Sequence, residues 1–131
     1  RFPEATQDVI NKAVNQTKHN SGLELCIAIN YGSRREMLLG MKKYADEVAS
    51  GKRENDLTEE EFSKYLFVPE DIDLMIRTSG ELRISNYLLW QLAYAELIFT
   101  PVAWPDFDKK ALKECLDEFA SRDRRFGGLT S

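Results

Sequence analysis

Four polar side chains, Arg77, Glu81, Arg83 and Ser85, crowd around Gly80 in this 131-residue chain, and a carboxylate, Glu96, follows. The cluster comes directly after Asp73-Leu-Met-Ile-Arg77, an apolar run that reads as a buried strand. Arginine offers a planar fork of donors that fits phosphate oxygens two at a time. Gly80 lets backbone approach a ligand. A hydroxyl where a helix starts adds a donor at the end whose dipole favours anions. The group therefore describes a site for a dianion or trianion. Glu96 continues the stripe of Leu89, Leu92 and Ala93, and a carboxylate there needs a partner or a metal. Beside phosphates, that chemistry favours Mg²⁺. The plainer readings are a structural network of Arg77 and Arg83 with Glu81 and other acids, and a solvated Glu96 at a helix end.

The elements that must position these residues follow from patterning. Segment 3–19 has helical periodicity, with Thr6, Val9, Ile10, Ala13, Val14 and Thr17 on one face and Asn20-Ser-Gly22 as its stop. His19, the one histidine, falls in its last turn and reads as a contact with the helix C-terminus. Leu23–Ile29 reads as a strand buried on both faces. Asn30-Tyr-Gly-Ser33 is a turn before a helix of about 34–50, with Met37, Leu38, Met41, Tyr44, Ala45 and Val48 inward. Thr58 to Glu61 is a capping box and Leu57 with Phe62 a hydrophobic staple, so a helix of about 59–66 is predicted. Residues 73–77 form the second strand and 78–84 a loop. Ser85 or Asn86 caps a helix to about 95, and 97–99 form a third strand. Asp108 caps a last helix with Leu112, Cys115, Leu116 and Phe119 inward. Trp90, Tyr94, Trp104 and Phe107 read as packing residues. Helices alternating with short apolar strands predict an α/β fold, a largely parallel sheet with helices on both faces.

Composition narrows the function classes. The chain is 43% hydrophobic, enough for a core, and its net charge of −4 comes from 18 basic and 22 acidic residues. That balance excludes a bulk electrostatic appetite for nucleic acid. No apolar run approaches the roughly 20 residues that span a bilayer, which makes the cytoplasm, or its membrane surface, the default location. Cys26 and Cys115 are far apart and read as buried thiols, not as a zinc site. The strings Gly-x-x-x-x-Gly-Lys-Ser/Thr and Gly-x-Gly-x-x-Gly of nucleotide folds do not occur. Arg1-Phe-Pro lacks a methionine, and three strands are few, so the chain reads as a piece of something longer.

The stretch Ile76-Arg-Thr-Ser-Gly-Glu-Leu-Arg-Ile-Ser-Asn-Tyr-Leu-Leu-Trp-Gln-Leu-Ala-Tyr-Ala-Glu-Leu97 resembles the cis-prenyltransferase signature nearly without a break. Trp104-Pro-Asp-Phe107, the closing Arg124-Arg-Phe-Gly-Gly128 and Asn30-Tyr-Gly-Ser-Arg34 also match, with Ser33 replacing a glycine in the last. The resemblance implies addition of isopentenyl diphosphate to an allylic diphosphate, usually farnesyl diphosphate, giving a long polyprenyl diphosphate such as undecaprenyl diphosphate. By position, Arg77, Arg83 and Ser85 would hold the diphosphate of isopentenyl diphosphate, and Glu81 would orient the arginines. Glu96 would be a magnesium ligand, reached from the same site or a facing subunit. Arg125 and Gly127 match an Arg-x-Gly motif that reaches a partner subunit's phosphate site, so a homodimer is implied.

One departure matters. The family's Asp, Gly-Asn and arginine loop, which binds the allylic diphosphate, has no match here. Residues 1–131 thus read as the C-terminal portion of a single domain whose N-terminal catalytic loop is absent from this chain. No catalytic residue is assigned in this chain, and the isolated piece is expected to be inactive. The competing functions are a non-catalytic partner subunit and an unrelated diphosphate-binding α/β module.

Overall fold

The structure, a computed structural model, describes residues 3–122. Its elements are α1 (Glu4–Thr17), α2 (Ser33–Ala49), α3 (Glu59–Ser63), β1 (Leu74–Arg77), β2 (Glu96–Phe99), a 3₁₀ turn (Trp104–Asp106) and α4 (Lys109–Ser121). β1 and β2 pair in parallel, from Leu74 opposite Glu96 to Arg77 opposite Phe99. Parallel strands joined through intervening chain are the α/β pattern that the alternation predicts.

Two helix starts are as predicted. Thr58 caps α3, its hydroxyl accepting from the Glu61 amide at 3.2 Å. Asp108 caps α4, Oδ1 accepting from the Ala111 amide at 2.9 Å. These caps are local chemistry, legible within four residues. Helix α2 comes close to the end of α3 and the turn after it: a Cβ on Gly40 would lie 3.4 Å from the Phe62 ring and 3.2 Å from Tyr65 Cβ.

Several expectations fail for long-range reasons. Residues 23–29 form no strand among the described residues, and Leu23 is 94% exposed. A strand needs a neighbour for its amides and carbonyls, and no described segment pairs with this one. Cys26, placed in that run, is exposed, whereas Cys115 is buried. The helix predicted over 85–95 is instead a run of turns. Ser85, Asn86 and Leu88 adopt φ of 54°, 60° and 45°, which a right-handed helix cannot contain. Helix α2 buries Ser33, Glu36 and Gly40, while Leu38, Leu39 and Met41 face outward. In α4 only Cys115 is buried, with Leu112 and Leu116 exposed.

The buried centre joins Phe62, Leu66, Leu92 and Ile98 with three polar residues, Ser33, Glu36 and Gln91. Trp90 acts as packing, edge-on to Phe62 at 4.9 Å, with its indole N–H donating to Ser63 Oγ at 3.0 Å. Trp104 stacks on Phe107 at 6.3 Å but stays largely exposed.

Candidate functional site

The carboxyl end of β1 opens into a pinned loop. The Thr100 amide donates to the Arg77 carbonyl at 2.9 Å, the Ser79 amide to Val102 at 2.8 Å, and the Gly80 amide to Thr100 at 2.9 Å. Gly80 turns at φ 68°, where glycine has no steric cost. Arg77 and Arg83 line one cavity of about 170 Å³, whose other walls are Met75, Ile76, Ile84 and Tyr87. The cavity therefore has two cationic forks and an apolar wall. Arg83 is mostly exposed and ion-paired to Glu81. An exposed pair of this kind contributes little to stability, so Arg83 can exchange Glu81 for another anion at small cost.

Ser85 is exposed, next to the Arg83 end of this loop, in left-handed backbone. The segment after it is clasped by α2. The Ser33 amide donates to the Asn86 carbonyl at 2.9 Å and the Arg34 amide to Asn86 Oδ1 at 3.0 Å. In return the Leu89 amide donates to Ser33 Oγ at 2.9 Å.

Behind the clasp lies a network that patterning did not reveal. The buried Glu36 carboxylate accepts from the Tyr31 hydroxyl, from the Phe67 amide at 2.7 Å and from Gln91 Nε2 at 3.5 Å. Gln91 Nε2 also donates to the Val68 carbonyl at 3.0 Å, and its Oε1 is buried without a partner. Tyr31 meets Tyr87 edge-on at 5.6 Å, linking the network to the arginine cavity. Burial, then the hydrogen bond to Glu36, pushes the Tyr31 phenol up to about 12. The available signal was the spacing Ser33, Glu36, Gly40, three polar or small residues on one helix face.

Glu96 lies elsewhere. It opens β2 and accepts from Arg122 Nη1 at 2.7 Å, while Nη2 of the same guanidinium donates to Glu118 Oε1 at 2.5 Å. These bonds, Glu96 first, hold the Arg122 guanidinium above its ordinary pKa. A carboxylate is the right kind of donor for Mg²⁺. No group of three or more metal-capable side chains occurs among the described residues, so they do not by themselves complete a magnesium site. Arg125 and Gly127 lie outside the described residues.

A wider cavity, about 780 Å³, is rimmed by Glu59, Glu60, Glu70 and Asp71 beside Trp90 and Tyr94. Four carboxylates against one lysine, Lys64, suit an anion less well than the arginine cavity does. Another, of about 400 Å³, runs between residues 26–31 and 67–72 and shares the Tyr87 wall. No helix among the described residues is long and apolar enough to cross a membrane.

A parallel α/β sheet with two guanidinium groups and a small apolar wall beyond a strand's carboxyl end has the chemistry to suit an organic anion. The family model described as "Putative undecaprenyl diphosphate synthase" matches residues 1–127. The isoprenyl transferase 2 of Bradyrhizobium diazoefficiens is 50% identical over 126 residues, covering 94% of this chain and 50% of that protein. The (2E,6E)-farnesyl-diphosphate-specific ditrans,polycis-undecaprenyl-diphosphate synthase of Lactiplantibacillus plantarum is 47% identical over 135 residues, 98% of this chain and 52% of that one. The lavandulyl diphosphate synthase of Lavandula x intermedia, solved with dimethylallyl diphosphate, superposes with a TM-score of 0.90 at 37% identity, covering 97% of this chain and 56% of that chain. This chain belongs to the undecaprenyl diphosphate synthase family of prenyl-transferring enzymes. It spans about half the length of the curated relatives it matches.

Proposed function

We propose that this chain carries the isopentenyl diphosphate half of a cis-prenyl elongation site, as the C-terminal portion of one cis-prenyltransferase domain. The observation that carries the reading is the cavity shared by Arg77 and Arg83 with Met75, Ile76, Ile84 and Tyr87. The arginines and the Ser85 hydroxyl bind diphosphate oxygens, with Glu81 releasing Arg83 as the anion arrives. The apolar wall receives the five-carbon group. Holding that double bond against the allylic carbon supplies proximity. In the condensation a carbon–carbon bond forms, the allylic C–O bond breaks, diphosphate leaves and the isopentenyl unit loses a proton. The groups that meet the allylic diphosphate, such as farnesyl diphosphate, belong to the N-terminal loop motif that this chain does not match.

The cofactor in this reading is Mg²⁺, which stabilises diphosphate charge when bound. Glu96 would hold it from this chain, where the ion would supply charge neutralisation at the diphosphate. Arg125 and Gly127 reach a second subunit's phosphate site in a homodimer. The product is a long polyprenyl diphosphate such as undecaprenyl diphosphate, the lipid carrier of cell-wall synthesis. It is made in the cytoplasm at the membrane surface and passed to the membrane.

Calorimetry with isopentenyl diphosphate and with ATP tests the binding half. The former should bind, ATP should not, and Arg83→Ala should abolish the difference. Incorporation of radiolabelled isopentenyl diphosphate tests the division of labour. The 131-residue chain alone should show none, and full turnover by it would refute the reading. The alternative, a non-catalytic partner subunit, is disfavoured because a scaffold has no need of a guanidinium pair around an apolar cavity.

A further inference from the structure

Helix α2 starts without a cap of its own. Its N-cap is Gly32, and no side chain of the helix start accepts from the first turn. The first amides of a helix lack intrahelical partners. Two of them, from Ser33 and Arg34, are satisfied by Asn86, more than fifty residues further along. The approach is tight, since a Cβ on Gly32 would lie 2.9 Å from Asn86 Nδ2. Asn86 and its neighbour Ser85 both hold left-handed backbone, at φ 60° and 54°. Asparagine tolerates that conformation better than most residues, but the surroundings must still fix it.

We propose that Asn86 is a positioning residue of the diphosphate loop: by capping α2 from a distant segment, it fixes the backbone that carries Ser85, two residues after Arg83. The inference rests on the reading of Ser85 and Arg83 as ligands of isopentenyl diphosphate. It goes beyond that reading because Asn86 acts through its neighbour, and because the coupling runs in both directions. A ligand that orders the loop protects the first amides of α2, and loss of the clasp weakens the ligand by the same factor.

The test pairs amide hydrogen exchange with calorimetry, using isopentenyl diphosphate and the whole chain. Asn86→Gly removes Oδ1 while keeping left-handed backbone accessible. Ser33→Ala removes the return bond from Leu89 and carries the same comparison should the first variant fail to fold. In the wild type the ligand should slow exchange of the Ser33 and Arg34 amides by about fivefold or more. In Asn86→Gly, which keeps the backbone carbonyl that Ser33 meets and loses only the Oδ1 that Arg34 meets, protection of the Arg34 amide should vanish and affinity should fall about tenfold, with a smaller fall in Ser33→Ala. Variants that melt earlier yet bind as tightly as the wild type would overturn the proposal and leave Asn86 a structural cap. So would wild-type binding that leaves the α2 amides unchanged. A wild-type chain that does not bind isopentenyl diphosphate sinks the functional reading and the clasp together, a result distinct from binding that ignores the clasp.

Discussion

Arg77 ends β1 and Glu96 begins β2, and in the parallel register the two occupy opposite ends of the sheet. At roughly 3.3 Å of rise per residue, the three-residue offset separates them by about 10 Å along the strands. The arginine cavity and the Glu96–Arg122 pair are therefore two places on this chain, not one.

That separation makes the two groups independently testable. Arg77→Ala or Arg83→Ala should each weaken isopentenyl diphosphate binding by about ten- to a hundredfold, the loss of one charge-assisted hydrogen-bonded contact. Glu96→Gln, titrated without divalent metal, should bind within about twofold of the wild type. Isothermal calorimetry reads both, and unchanged affinity in Arg83→Ala would discredit the assignment.

Tyr31 gives a pH signature. Its phenol is raised from near 10 to about 12 by burial and by Glu36. Between those values the native state holds a proton that the unfolded state has released. The stabilisation is thus complete below pH 10 and is lost as pH rises to about 12. Thermal midpoints measured across that window should fall, and Tyr31→Phe should flatten the decline. An equally steep decline in the variant would assign the effect to other groups.

Glu36 is 2% exposed and serves three donors. Glu36→Ala strands the Phe67 amide and the Tyr31 hydroxyl, so denaturant titration should show a loss of about 2–4 kcal/mol. Glu36→Gln keeps an acceptor and should cost less. Equal losses in the two variants would mean that the carboxylate's second oxygen carries the network.

Asp108 provides a contrast. It caps α4 through Ala111 and does not line the arginine cavity, so Asp108→Ala should lower stability by about 1 kcal/mol and leave isopentenyl diphosphate affinity unaltered. A change in affinity would show that α4 couples to the binding loop.

Reading along the chain worked wherever the cause was near at hand. The Thr58 and Asp108 caps, β1, most of β2 and the sequence Arg77–Gly80–Arg83 all depend on neighbours within a few residues. The 85–95 segment shows the limit. Its apolar spacing fits a helix, but the clasp between Asn86 and α2 favours three left-handed residues instead, and spacing carries no trace of a partner fifty residues away. Residues 23–29 fail similarly, since apolar content predicts burial but only a neighbouring strand supplies it.

The amino-acid order alone determined the family, the α/β class and a group of arginines at a strand end, because residue type and local periodicity encode donors, caps and strand propensity. The tertiary structure decided which side chains share a cavity, that Glu96 faces Arg122 at the far end of the sheet, and that a buried carboxylate lies behind the loop. Those outcomes depend on strand register, helix rotation and backbone handedness, and these emerge only when distant segments compete to satisfy one another's polar groups.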